Sequence, residues 1–254
     1  MSLAAPALPD FFRLRAFEAI GSTMEECRRQ AADGAPEGLL VWAGEQTLGR
    51  GRRGRGWASP KGNLYLSLLL RPGGPPAEGA KLGFVAAVAM GAALTALLPD
   101  GEWRVQLKWP NDLLIDRAKA GGILLEGQPA ADGNLAWAIL GIGVNVRSFP
   151  ADTPYRATGL AAAGGPDDPA LLLGAFAERF PECYDSFRRE GFAPIRQAWL
   201  ARAAGIGEPI EVRLERETVP GRFAALDETG RLWLDLPDGG RRAFTAGDVF
   251  FPGL

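Results

Sequence analysis

GRGRRGRGWASPKGNLYLSLLLR, residues 49–71, formally contains the G-x-G-x-x-G spacing of a dinucleotide-binding turn. Its context decides against that fold. A dinucleotide turn opens a helix directly and is followed about 20 residues later by an acidic side chain. Here Ala58-Ser59-Pro60-Lys61-Gly62 intervenes, which cannot open a helix, and Asn63–Arg71 then reads as a leucine-rich strand. Arg50, Arg52, Arg53 and Arg55 therefore need another account. The glycines among them bring backbone amides close to a ligand, and guanidinium forks suit phosphate and carboxylate oxygens. So self-repelling a loop is expected to order when an anion neutralises it, as a lid does. A solvated basic loop or an arginine patch on RNA is the alternative at this point.

Upstream, Phe11–Ala19 reads as a strand, and Ser22 with Glu25 three residues on forms a capping box opening a helix to Ala32. Asp33-Gly34 and Pro36 stop that helix, and Leu39–Ala43 is a short apolar strand. Downstream come an Ala-rich helix over Glu78–Leu98 and strands at Trp103–Lys108, Leu113–Asp116, Gly122–Glu126 and Leu135–Val146. Arg147–Asp168 reads as a surface loop, and helices follow at Pro169–Arg189 and Phe192–Ala203. From Gly205 five short strands alternate with turns: Ile210–Leu214, Arg222–Leu226, Leu232–Leu236, Arg242–Thr245 and Val249–Phe251. The expected class is α+β: a mixed-sheet domain over 1–204 and a small β-barrel over 205–254.

Composition narrows the chemistry. The 254 residues contain no histidine, which removes Ser-His-Asp and Cys-His triads, His-based zinc sites and imidazole bases together. Any catalysis must run on cations, backbone amides and carboxylates, and a bound metal is expected to assist. Activation of a substrate by ATP suits that inventory, because positioning and charge neutralisation carry most of that work. The net charge of −2 attracts neither DNA nor a membrane surface. The N-terminus lacks a signal-peptide pattern, and the longest apolar run, around Phe84–Leu98, falls short of the ~20 residues that span a bilayer. Cys27 and Cys183 share no metal or redox spacing, so two free thiols in a cytoplasmic protein are expected.

Two further segments carry candidate chemistry. In Lys108-Trp109-Pro110-Asn111-Asp112, Pro110 and Asn111 force a turn that offers Lys108, Asn111 and Asp112 to one cleft, and Asp112 beside lysines could hold Mg²⁺ on phosphates. Lys119 precedes Gly121-Gly122, where a backbone can approach a substrate closely. In Gly141-Ile142-Gly143-Val144-Asn145, glycines inside a strand mark such an approach, and Asn145 could read a base or amide.

Together, Ser22-Thr23, Gln46 with GRGRRGRGW, SPKGNLYLSLLLRP, KWPNDLLID, KAGGILLEG and GIGVNV resemble the catalytic domain of biotin–protein ligases, over roughly residues 10–250. The resemblance implies a mixed-sheet fold like that of class II aminoacyl-tRNA synthetases, with an SH3-like C-terminal β-barrel. It implies that biotin is activated by ATP as biotinyl-AMP and passed to a lysine of a biotin carboxyl carrier domain of acetyl-CoA carboxylase or a related carboxylase. By motif position, Ser22, Thr23 and Gln46 face the ureido ring. Arg50, Gly51 and Arg52 wrap the valeryl carboxylate and adenylate phosphate. Lys119 touches both reacting groups, while Gly122, Gly141 and Gly143 border biotin. Trp57, Lys108, Asn111 and Asn145 belong with the adenylate, and Asp112 is a Mg²⁺ ligand or the acceptor's proton taker. Met24 departs from the family, which usually carries Asn or Gln there. About 20 residues precede Ser22, too few for the DNA-binding domain of bifunctional members, so no operator DNA is expected as a partner. The family's monomers and dimers leave a homodimer open. A lipoate–protein ligase shares the adenylate chemistry, but the arginine loop combined with KWPND favours biotin.

Overall fold

The computed structural model describes residues 6–100 and 104–252. Strands β1 (Arg13–Phe17), β2 (Leu39–Ala43), β3 (Leu64–Leu70), β4 (Val105–Lys108), β5 (Asp112–Ile115), β6 (Ala118–Pro129) and β7 (Leu135–Val144) form one sheet, ordered β1-β2-β3-β7-β6-β5-β4. Only β1 and β2 run parallel, joined across helix α1 (Thr23–Ala32); every other pair is antiparallel. Every residue of β2 and β3 is buried, so both read as continuous apolar runs instead of alternating ones. The strand expected from Trp103 begins at Val105 among the described residues, with Trp103 itself outside them.

The two faces are divided by strand periodicity. Leu39 and Val41 of β2, Leu69 of β3 and Ile139 of β7 pack with Met24, Cys27 and Ala31 of α1. Leu40, Trp42, Leu66, Leu68, Leu140 and Ile142 point to the other face and the main core, which is covered by α3 (Leu82–Leu97) and α4 (Pro169–Glu190). The single helix expected over Glu78–Leu98 is divided into α2 (Pro76–Gly79) and α3, with Ala80 and Lys81 between them. The whole Pro76–Leu97 stretch, of mean hydropathy 1.8 over its best window, is long and apolar enough to cross a bilayer, contrary to the sequence expectation. Its apolarity serves burial within the protein: α3 lies between sheet and α4, and a helix packed on several sides carries apolar residues all round.

After α5 (Phe192–Leu200), strands β8 (Pro209–Arg213), β9 (Thr218–Leu226), β10 (Leu232–Asp235), β11 (Arg241–Phe244) and β12 (Asp248–Phe250) form a second, antiparallel sheet, ordered β11-β10-β9-β8-β12. The expected barrel is an open sheet. Closure would require β11 to pair with β12 across the two ends of this order, and no such ladder is present among the described residues. This sheet is anchored beside β4. Leu107 N–H donates to Arg202 O at 2.8 Å, the Trp109 indole donates to Gly230 O at 3.1 Å, and Lys108 Nζ donates to Val249 O at 3.1 Å. β12 thereby stands at the rim of the main sheet.

Candidate active site

Side chains are missing from the α1 face of the sheet at three adjacent positions. Gly122 on β6 pairs with Gly143 on β7, and Gly141 lies two residues before Gly143 on the same face. The result is a trough just beyond the N-terminus of α1. The Trp57 indole lies over one end, where a Cβ on Gly143 would meet its ring nitrogen at 2.6 Å. Met24 lies over Gly141 at the other end. The cavity is lined by both glycine ends, the arginine loop, the β4–β5 turn, Lys119, and Asp248 to Phe251 of the second sheet.

One end reads neutral polar groups. Gln46, held after β2 by a hydrogen bond from its N–H to Ser59 O at 3.2 Å, places Oε1 to accept from Thr23 N–H at 2.9 Å and Thr23 Oγ1 at 3.0 Å. Ser67 Oγ donates to Thr23 Oγ1 at 2.9 Å, and Gln46 Nε2 donates to Ser59 Oγ at 3.1 Å. Ser22 completes this end, but the capping box does not form. Its side chain makes no cap hydrogen bond, and the Glu25 carboxylate pairs with Arg28 on its own helix and with Arg50 at 2.8 Å. Among the described residues, Ser22 Oγ, Trp42 Nε1 and Trp57 Nε1 are the buried side-chain polar atoms without a partner, and Ser22 and Trp57 both line the cavity. Buried polar atoms are ordinarily satisfied, and these two are placed to bond with whatever occupies the cavity.

The other end is cationic. The turn at Trp109–Asn111 brings Lys108 beside Asp112, and a bulge between Leu113 and Leu114 lets β6 present Lys119 to the same carboxylate. Lys119 Nζ lies 2.7 Å from Asp112 Oδ1 and Lys108 Nζ 3.0 Å from Oδ2, in a group whose side chains are 12–19% exposed. Burial by itself would raise the Asp112 carboxyl, but the two ammonium groups outweigh it and hold it below the usual carboxylate range. Arg52 donates to Asn111 Oδ1 at 3.1 Å, while Asn111 Nδ2 donates to Ile123 O at 2.6 Å. Burial lowers the Arg52 guanidinium from its usual value, against the attraction of Asp248.

The arginine loop folds back on itself and meets a carboxylate of the chain's own second sheet. Gly51 N–H donates to Arg55 O at 2.7 Å, closing a turn with Arg53 at φ 55° and Gly54 at φ 71°. Asp248 on β12 supplies the counter-charge, 3.7 Å from both Arg52 and Arg53 and hydrogen-bonded to Arg55. Asp248 had no sequence signal, since nearly 200 residues separate it from the loop. Ser67 and the aromatic Tyr155, 39% exposed at the cavity rim, were also missed. An exposed aromatic in a Pro-rich loop was the available clue to Tyr155.

Of the residues singled out in the sequence, Ser22, Thr23, Gln46, Arg50, Gly51, Arg52, Trp57, Lys108, Asn111, Asp112, Lys119, Gly122, Gly141 and Gly143 all line this cavity. Asn145 is elsewhere. It is buried, donates Nδ2 to Thr158 O at 3.0 Å, and accepts at its backbone O from Leu160 N–H, tying β7 to the loop that carries Tyr155. A protein-built Mg²⁺ cage does not fit. Both Asp112 oxygens are engaged by lysines, and no group of three His, Cys, Asp or Glu side chains comes together among the described residues.

A trough with a neutral hydrogen-bonding pocket at one end and three cations at the other suits a protein that joins an uncharged ring system carrying a carboxylate to a phosphate donor. The pattern of the Biotin/lipoate A/B protein ligase family matches residues 17–145, and that of the biotin protein ligase C-terminal domain matches residues 205–251. The chain belongs to this family. It is 41% identical over 230 residues, 87% of its length, to the biotin–[acetyl-CoA-carboxylase] ligase of Paracoccus denitrificans, covering 94% of that protein. It is 35% identical over 235 residues to the bifunctional ligase/repressor BirA of Bacillus subtilis, covering 90% of this chain and 71% of the relative. A biotin protein ligase from Aquifex aeolicus, solved with biotin and ATP, superposes with a TM-score of 0.77 at 28% identity, covering 94% of this chain and 97% of that one.

Proposed function

We propose that this chain is an ATP-dependent biotin–protein ligase that forms biotinyl-5′-AMP and transfers the biotinyl group to a lysine of a biotin carboxyl carrier domain. The observation that carries the reading is the two-ended trough: an unpartnered Ser22 hydroxyl beside the Thr23–Gln46 pair at one end, and Lys108, Lys119 and Arg52 at the other.

In this reading the ureido ring lies toward Ser22, Thr23 and Gln46. Its carboxylate lies along the glycine floor toward Lys119. A carboxylate oxygen attacks the α-phosphorus of ATP, a bond to phosphorus forms, and the bond to pyrophosphate breaks. Charge accumulates on phosphate oxygens, where fixed cations in a closed cleft stabilise it without reorganising. Mg²⁺ arrives with ATP, held by substrate phosphates and water in the usual manner of that ion. The acceptor amine, in its neutral form, then attacks the acyl carbon, an amide forms, AMP leaves, and the proton lost from nitrogen passes to solvent. Asp112, held below the ordinary carboxylate range, is a poor proton acceptor; its role is to position Lys119 and Lys108. Arg50, Arg52 and Trp57 close the trough, which keeps water from the mixed anhydride. Asn145 acts through the Thr158–Leu160 segment it anchors, which leads to Tyr155 at the nucleotide side.

Incubation with ATP, Mg²⁺, biotin and a purified carrier domain, followed by intact-mass measurement, tests this. One added biotinyl group on one lysine is expected. An unmodified carrier, or a lipoyl group added instead when lipoate is supplied, would overturn the assignment.

A further inference from the structure

The contact between Met24 and Gly141 has consequences for substrate choice. Both residues line the cavity, and Met24 is 5% exposed at the second position of α1. A Cβ built on Gly141 would lie 2.6 Å from Met24 Sδ and 2.9 Å from Met24 Cγ; its next neighbour, Leu124 O, is 3.7 Å away. The thioether therefore occupies the space that a side chain at position 141 would take. Its neighbours Thr23 and Ser22 form the hydrogen-bonding end of the trough.

We infer that Met24 and Gly141 together form a specificity-determining wall, whose thickness sets how bulky a ring system the polar end admits. Methionine is unbranched with several rotatable bonds, so it fills irregular space and yields when pushed. Behind it stand Cys27, Val41, Leu69 and Ile139, all close-packed, with exposures of 0%. A thioether displaced by a larger residue at 141 cannot retreat into that cluster and moves into the cavity. Shortening residue 24 removes the wall and deepens the pocket. The inference rests on the proposed placement of the ring system at this end.

The test is a two-residue cycle. KM for biotin and, separately, for ATP is measured in pyrophosphate exchange by Gly141→Ala, Met24→Ala and the double variant, with thermal unfolding recorded for each. Gly141→Ala is expected to raise KM for biotin at least tenfold, with KM for ATP changing less than threefold. The double variant should return KM for biotin to within threefold of the unaltered protein, because the displaced thioether is gone. An unchanged KM for biotin in Gly141→Ala, or no recovery in the double variant, overturns the wall while leaving the ligase reading intact. A rise in KM for ATP instead of biotin overturns the placement of the ring as well. Should Gly141→Ala fail to fold, Met24→Ala alone decides. Its discrimination between biotin and the bulkier biotin sulfone should fall at least fivefold, and unchanged discrimination rejects the wall.

Discussion

Replacing Asp112 with Asn leaves two ammonium groups facing each other in a nearly closed cleft. Lys119 and Lys108 lie 2.7 and 3.0 Å from the two carboxylate oxygens, with the three side chains only 12–19% exposed. Removing one partner of a buried ion pair costs about 3–5 kcal/mol, because the remaining charge is uncompensated. The residual solvent contact favours the low end, about 3 kcal/mol. At roughly 2–4 °C per kcal/mol for a chain of this size, Asp112→Asn should lower Tm by about 6–12 °C at pH 7. Lys119→Met in the same chain should restore part of that loss, since one surplus charge is then removed. The sign with pH follows from the depressed carboxyl. Its stabilisation is complete above the ordinary carboxylate range and is lost as pH falls through the lower folded value, so the difference from Asp112→Asn should shrink in acid. Circular dichroism melts between pH 3 and pH 8 report both quantities. A Tm within about 2 °C of the unaltered protein at pH 7 would refute the claim that Asp112 is the internal counter-ion of this cleft.

Asp248→Ala removes the carboxylate that gathers Arg52, Arg53 and Arg55, so trypsin should cleave within Arg50–Arg55 markedly faster, while Tm changes little because these groups are partly solvated. Thr23→Val removes the hydroxyl that donates to Gln46 and accepts from Ser67; at about 0.5–1.5 kcal/mol per hydrogen bond, KM for biotin in pyrophosphate exchange should rise several-fold to roughly a hundredfold with kcat less affected. Burial pushes the Cys27 thiol up to about 12, so a disulfide reagent at pH 8 should label Cys27 only after unfolding, while the half-buried Cys183, its thiol also raised by burial, should react slowly in the native protein.

Much of the main sheet was legible because its strands announce themselves locally. The continuous leucine run of β3 and the glycine-interrupted β7 each name their own environment. The β4–β5 turn is equally local, since Pro110 and Asn111 dictate it. What escaped was non-local. Glu25 looks like a capping partner in sequence, but its carboxylate is shared between Arg28 on the same helix and Arg50, which the fold brings close. Asp248 carries no local signal, because its meaning comes from a second sheet docked beside β4. Asn145 carries a further contact that its motif does not announce, since its amide and carbonyl anchor the Thr158–Leu160 segment. The Ala-rich helix was read correctly as helical, but its bilayer-like apolarity becomes meaningful only when α4 is seen to cover it.

The central claim is that the cationic end of the trough joins a biotin carboxylate to the α-phosphate of ATP. Its most direct test is exchange of labelled pyrophosphate into ATP with biotin, lipoate or octanoate as the acid. Exchange should depend on biotin alone and be abolished in Lys119→Ala and Arg52→Ala. Exchange supported by lipoate but not biotin would contradict the assigned acid, and no exchange with any of the three would contradict the adenylation chemistry itself.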